Sequence, residues 1–405
     1  MTTNCVHLNT KPYQENEFRL SDFFNSHWDK YVKNPKKFIK KEQFHAVNAL
    51  RVCRTEVLGK EVYVCSDCGS ISEVFHSCKH RFCPTCSWTD TLKWADKAYL
   101  KLLNIPHRHA VATLPHDLNQ LLENNYEILN NALFKASAET IKDWFLAKYN
   151  IKPGIISVLH TFGEKKNRHH HTHMIVSMGG ININTNKLEK VALKFMPYKF
   201  LSKKFMIKFQ DIIIELFDNK RLKHNFENKQ NLLILLKKIN QNNWRFHFEP
   251  PMEEPLKVIK YIGRYSKRAC LSEKKITNIQ GEYISFKYKD YKDRDKENKP
   301  IQKIETLHYS VFFPRILQHV PPKRFQIVRY YGIYANPVQL DENLKLKPEK
   351  KQAATAYKNL KFCEHCKKQK ELVFIVFDLR QKKERTEKFD INSHKNNIYK
   401  VKKIA

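Results

Sequence analysis

No stretch of this chain approaches the ~20 consecutive apolar residues that a membrane-spanning helix needs. Residues Met1–Gln14 carry no secretory signal. Those two absences predict a cytoplasmic chain with no membrane partner. Glycine is scarce, 9 residues in 405, while Lys, Asn and Ile abound. Drift in an AT-rich genome yields such a profile by itself. It does not by itself yield the shortage of acid: 41 Asp and Glu face 74 Lys and Arg, a formal charge of +33. A field of that sign attracts polyanions over long range, and nucleic acid is the commonest of them. Internal repeats are also missing, so no solenoid or propeller is expected. The length allows two or three domains. In a reducing cytoplasm the ten cysteines read as metal ligands rather than disulfides.

Strand-like and helix-like segments alternate without strict βαβ order. Arg108–Pro115 is apolar and β-prone, and Leu118–Tyr149 has helical spacing. Gly154–Thr161 and His169–Met178 read as strands joined by the polar turn Gly163–Arg168. A helix over Lys199–Leu222, a strand over Trp244–Phe248 and a helix over Pro255–Arg268 follow. Tyr283–Tyr291 and Glu305–Phe313 then resemble strands around the charged loop Lys292–Pro300. From Asp341 onward 18 Lys and Arg face 9 Asp and Glu, which predicts a partly disordered basic tail. The pattern points to an α+β chain with a central antiparallel sheet flanked by helices. The expected division is a cysteine-rich module over 1–100, a second domain over 101–275, an extension over 276–340 and the tail over 341–405.

Six cysteines fall between Cys53 and Cys86. Cys65-x2-Cys68 and Cys83-x2-Cys86 are two knuckles separated by 14 residues, close to zinc-ribbon spacing. Each knuckle turns both thiolates toward one ion, and two knuckles complete a tetrahedron. Cys53 and Cys78, with His45, His76 and His80, are left over and can supply a second zinc site. The later pair Cys363-x2-Cys366 has only two thiols and reads as an incomplete site.

His169-His170-His171-Thr172-His173 opens an apolar stretch. On a strand His171 and His173 point to one face, with His169 beside them, and can chelate one divalent ion. Tyr261 and Tyr265, at i and i+4, share a helix face. That spacing is commonest in helix cores, but here Arg264, Lys267 and Arg268 accompany it. Nearby positive charge lowers a phenol's value from ~10 and makes it a better nucleophile, and the same cations can grip DNA phosphates.

In combination these motifs resemble the two-tyrosine HUH rolling-circle transposases, in particular the insertion sequence ninety-one family. The resemblance runs from about Gln43 to Asn336. It rests on Cys53-Arg54-Thr55, Cys65-x2-Cys68-Gly69, Cys78-x2-Arg81-x-Cys83-Pro84-x-Cys86, Ala112-Thr113-Leu114-Pro115, His169-x-His171-x-His173, Tyr261-x2-Arg264-Tyr265 and Arg329-x-Tyr331-Gly332. Three departures are Thr172, where the family has a bulky apolar residue, His170, where it usually has proline, and Phe82, where it often has histidine. The resemblance implies an N-terminal zinc-binding domain and an HUH nuclease. In that scheme Tyr261 and Tyr265 cut single-stranded DNA through a 5′-phosphotyrosine intermediate and rejoin it. His171 and His173 hold Mg or Mn, with a third ligand in His160, or else Glu164 or His169. No acidic triad is required. It also implies a nucleoid-associated protein acting on single-stranded transposon ends. A zinc-dependent DNA-binding regulator with an inactive nuclease, and a plasmid replication initiator or relaxase, are the other readings the same residues allow.

Overall fold

The computed structural model describes residues 18–36, 38–191, 196–241, 244–252, 269–335 and 371–375. Helices α1 (Leu20–Val32) and α2 (Lys41–Arg51) come first, then the hairpin β1 (Lys60–Val64) and β2 (Ile71–Phe75), then α3 (Pro84–Tyr99). Pro84 opens α3 at its first turn, where a missing N–H costs nothing. β3 (His107–Thr113) leads through a short 3₁₀ turn to α4 (Asn119–Asn124) and α5 (Tyr126–Tyr149). The single helix expected over Leu118–Tyr149 is broken at Asn125. Its side-chain amide donates to the carbonyls of Leu121 (2.9 Å) and Lys223 (2.7 Å) and accepts from the Lys223 N–H (2.7 Å). A remote loop has captured the residue.

β4 (Ile151–Phe162) and β5 (Arg168–Asn182) are long because both faces of their central portions are covered, and β6 (Leu188–Lys190) pairs with β5. α6 (Tyr198–Asp218), α7 (Lys229–Ile239) and β7 (Arg245–Phe248) follow. The expected helix Pro255–Arg268 lies outside the described residues. β8 (Ile276–Gln280), β9 (Tyr283–Arg294) and β10 (Pro300–His308) form a three-stranded antiparallel sheet. The strand expected over Glu305–Phe313 ends at His308. There the His308 ring accepts from the Ser310 N–H (3.3 Å) and caps α8 (Tyr309–Leu317). Tyr309, Phe312, Phe313 and Ile316 repeat at helical spacing and are buried. β11 (Val328–Gly332) completes the central sheet, whose order is β11-β4-β5-β3-β7, antiparallel throughout.

One face of that sheet, with Ala110, Ala112, Ile155, Leu159, Met174 and Val176, packs against α5 and α6. The other, with Ile156, Val158 and Ile175, packs against Trp94 and Ala98 of α3. A third core joins α1 and α2 to the cysteine loop, β8, β9 and α8. The tail expected to be partly disordered contributes β12 (Glu371–Ile375), which pairs with β1. The rest of it, Cys363 and Cys366 included, lies outside the described residues. Among the described residues no helix is long and apolar enough to cross a membrane.

Candidate metal centres

Antiparallel pairing of β4 with β5 sets His160 opposite His171 and Val158 opposite His173. Residues opposite one another on an antiparallel pair share a face, and alternation along β5 adds His173 to it. The nitrogens of His160, His171 and His173 accordingly lie within 4.8 Å of one another. His171 Nε2 and His173 Nε2 are 3.1 Å apart. The even-numbered residues of β5 face the helices: His170 is bound to Asn130 Oδ1 of α5 at 2.9 Å.

The tautomers follow from the partners. His171 Nδ1 lies 2.8 Å from the His169 carbonyl. A carbonyl only accepts, so Nδ1 carries the proton and Nε2 keeps its lone pair for the shared centre. His173 Nδ1 lies 2.8 Å from His109 Nε2 on β3. If Nε2 of His173 presents a lone pair, Nδ1 must donate to His109, the orienting contact that metal-holding histidines make. Burial, reinforced by the positive potential of neighbouring His160, holds His171 and His173 well below the ordinary imidazole range. Burial likewise pushes His169 and His109 down to about 4. His171 and His173 are thus neutral at physiological pH, as ligands must be. Tetrahedral N-ligation at ~2.0–2.1 Å sets nitrogens ~3.3 Å apart, so the 3.1 Å spacing of the two Nε2 atoms fits a divalent ion. Three imidazoles suit a borderline transition ion better than Mg, which prefers oxygen donors.

Of the alternative third ligands, Glu164 points elsewhere, pairing with Lys275 Nζ at 2.8 Å and accepting from the Lys289 N–H at 3.2 Å. His169 stacks on His116, with centroids 5.1 Å apart. His109 was not anticipated. The cue was its place two residues after His107 on a strand otherwise read only as apolar.

The second centre departs from the expected ribbon. Cys53, Cys78, Cys83 and Cys86 bring their sulfurs within 4.8 Å of one another, and Cys65 and Cys68 are not among them. The two knuckles therefore do not share one ion; the two cysteines left over by that reading join Cys83 and Cys86. Sulfur separations of 3.5 Å (Cys53–Cys86), 3.6 Å (Cys78–Cys86) and 3.7 Å (Cys53–Cys83) match the ~3.8 Å edge of a tetrahedron with ~2.3 Å Zn–S bonds. The Cys53 sulfur beside them, together with burial, pushes the Cys78 and Cys83 thiols up. Four such thiols cannot all ionise without a cation among them. Cys83 caps α3 and Cys86 sits in its first turn, where helix N–H groups favour thiolate. His80 stays outside the set, its Nδ1 accepting from the Phe82 N–H at 3.1 Å, and burial pushes it to about 4. His76 Nδ1 donates to the Leu58 carbonyl at 3.0 Å, and the His45 ring packs edge-on against His80. Phe82 is buried against Phe24.

Tyr261, Tyr265, Arg264, Lys267 and Arg268 lie outside the described residues. The described chain on either side of them is anchored near both centres. Met252 bridges to His107, on the His109 and His173 face of β3. The Ala269 N–H donates to Ser87 Oγ at 3.0 Å, one residue past Cys86. An open groove beside these elements is lined by Lys79, Arg81, Trp94, Lys323, Arg324 and Tyr330, a mixture of cations and aromatic rings that suits single-stranded nucleic acid.

Residues 154–341 match the family model "Putative transposase", and residues 23–114 match "Transposase zinc-binding domain". The chain is 30% identical over 304 residues to "Putative transposase y4qJ" of Sinorhizobium fredii, covering 73% of this chain and 75% of that protein. It is 27% identical over 307 residues to "Transposase for insertion sequence element IS801" of Pseudomonas savastanoi pv. phaseolicola, covering 73% of this chain and 71% of that protein. No solved structure matches.

Proposed function

Because the chain belongs to the insertion sequence ninety-one family of transposases, with an N-terminal zinc-binding domain, we propose that it cuts and rejoins single-stranded transposon ends by rolling-circle chemistry, with Tyr261 and Tyr265 as nucleophiles. The observation that carries this reading is the convergent triad of His160, His171 and His173, built on two adjacent strands of the central sheet.

The triad is the set that would hold the divalent ion, Mn better than Mg on the chemistry of its donors. When bound, such an ion supplies Lewis-acid polarisation of the scissile phosphate. The chain's own residues do the rest. His109 and the His169 carbonyl fix the two imidazoles so that both Nε2 atoms face one point. Lys79, Lys323 and Arg324 draw the strand along the groove, while Trp94 and Tyr330 offer faces for its bases. One tyrosine oxygen forms a bond to phosphorus as the bond from phosphorus to the 3′ oxygen breaks. That leaves a 5′-phosphotyrosine and a free 3′-hydroxyl. The other tyrosine takes the second end, and the 3′-hydroxyl reverses the reaction to rejoin strands without water or a nucleotide. The segment bearing the tyrosines is supported in this role by its two anchors, at His107 on the triad face and at Ser87 beside the cysteine cluster.

The test is incubation with single-stranded ends of the flanking element and Mn, followed by denaturing electrophoresis. A protein–DNA adduct is expected. It should disappear when Tyr261 and Tyr265 are both changed to Phe, since the rings stay and only the oxygens go. Each single Phe variant should retain some cleavage but fail at complete strand transfer. An adduct surviving in the double variant means another residue is the nucleophile. Nicking without an adduct means that water attacks.

A further inference from the structure

The row of side chains that carries the triad continues beyond it. β3 pairs with β5 on one side and with β7 on the other, and the two registers place Thr113 opposite both His171 and Arg245. His160 lies opposite His171 in turn. Arg245, Thr113, His171 and His160 therefore stand in one line across four neighbouring strands. Residues directly opposite one another share a face, with Cβ atoms ~4.5–5.5 Å apart. Alternation along β7 agrees: Phe246 and Phe248 are buried in the core beneath the sheet, while Arg245 and His247 are exposed on the triad's face.

An arginine on the edge of a sheet is commonly held by a neighbouring carboxylate or left to solvent. Here neither the Arg245 guanidinium nor the Thr113 hydroxyl has a hydrogen bond or ion pair among the described residues. No acid stands in the row, and the one acid that follows β7, Glu249, pairs with His247 Nε2 at 3.3 Å. The arginine nonetheless bears on the cluster. Burial and His116 hold His169 down first, and the Arg245 charge adds to them; the His169 ring centroid is 4.8 Å from that of His171. An extended arginine stem is longer than the ~4.8 Å between adjacent strands, so the guanidinium can reach over Thr113 toward the triad.

The chemistry of these two side chains fits one kind of ligand. A phosphodiester seated over the triad has two non-bridging oxygens, and both gain negative charge as a nucleophile attacks phosphorus. Donors beside the triad, rather than in it, serve the oxygen that faces away from the histidines. A guanidinium offers paired N–H donors in a fixed plane together with a permanent positive charge. A threonine hydroxyl adds one more donor.

We propose that Thr113 and Arg245 form an anion subsite beside the triad, in which the scissile phosphate accepts hydrogen bonds from the Thr113 hydroxyl and the Arg245 guanidinium. Their role rests on the triad being the cleavage centre proposed above. Neither residue makes or breaks a covalent bond or gives up a proton. Both hold charge that grows on the phosphate oxygens during attack, so they act on the rate of cleavage more than on the grip on DNA.

Single-turnover adduct formation by the full chain, with single-stranded ends of the flanking element and Mn, is measured beside filter binding of the DNA and calorimetric binding of Mn. Arg245→Ala should slow adduct formation by ~10²–10³-fold, with DNA and Mn affinities within about twofold of the parent. Arg245→Lys should fall between the two, because it keeps the charge and loses the paired donors. Added guanidinium should restore part of the rate to Arg245→Ala and leave the parent unchanged. Thr113→Val, which keeps the shape and removes the hydroxyl, should slow the step by about tenfold, the worth of one hydrogen bond. An Arg245→Ala protein as fast as the parent overturns the subsite. So does one whose rate falls only in step with DNA or Mn binding, or that guanidinium does not rescue. A parent that forms no adduct instead overturns the cleavage centre, and the subsite with it. Should Thr113→Val fail to fold, the Arg245 variants decide, because that side chain is exposed on an edge strand.

Discussion

At the level of single side chains, the proposed role of the triad predicts that chemistry and affinity come apart. His171→Ala or His173→Ala should abolish cleavage while leaving single-stranded DNA affinity within about twofold, because the ion acts on the transition state whereas binding comes from many cations. Filter binding beside the cleavage assay measures both, and parallel loss of binding would give these histidines a structural role. His319 tests buried neutrality away from that site. Its Nε2 donates to the Lys166 carbonyl (2.8 Å) and its Nδ1 accepts from the Thr161 hydroxyl (3.0 Å), and burial pushes it down to about 3. The unfolded chain, titrating near ~6.5, binds a proton that the folded chain refuses between those two values. Stability is therefore full above pH 6.5 and falls as pH drops toward 3, by about 2 kcal/mol at pH 5 from this residue alone. The other buried histidines add to the slope of urea midpoints between pH 7 and 5, and His319→Gln should reduce that slope by this one residue's share; an unchanged slope would mean that His319 is not buried neutral. The histidine pair on β5 was legible from alternation alone. The tautomers were not, because they depend on a carbonyl two residues away and on His109 from another strand.

At the level of elements, the central sheet was readable because its strands are apolar and bounded by polar turns: four of its six strands fall on segments marked in the sequence. The failures have local causes. Asn125 breaks a helical pattern through hydrogen bonds to residue 223, which no window contains. Tyr309–Leu317 satisfies both a strand composition and a helical period, and the His308 cap decides. The cysteine pattern was legible as metal-binding but not in its pairing. Chain spacing favoured knuckle with knuckle, while the fold delivers Cys53 from the end of α2 and Cys78 from the end of β2. Gly332 shows how tightly β11 is seated. It lies at φ +61°, and a Cβ there would stand 1.7 Å from the Pro153 carbonyl oxygen. Gly332→Ala should cost about 2–3 kcal/mol and lower the melting temperature; an unchanged melting temperature would mean that β11 is not held in this register.

On the scale of the whole molecule, the charge of +33 predicts binding that weakens steeply with salt. Replacing Lys79, Lys323 and Arg324 with Ala should weaken single-stranded DNA binding and reduce the slope of log K against log salt by about 0.7 for each phosphate that is no longer neutralised. Titrations between low and physiological salt decide this, and an unchanged slope would move the binding path away from the groove. The pairing of β1 with β12 has a consequence of a different kind, in the order of events during synthesis. β1 emerges early, but the strand that covers its free edge is made about 300 residues later. Pairings of such sequence separation form slowly, and an uncovered edge is a template for pairing with the wrong chain. The newborn hairpin is thus exposed until β12 has been made, and the molecule reaches this topology only once Glu371–Ile375 has emerged. Chains truncated before Glu371 should therefore refold to a lower yield than the full protein and aggregate through that edge.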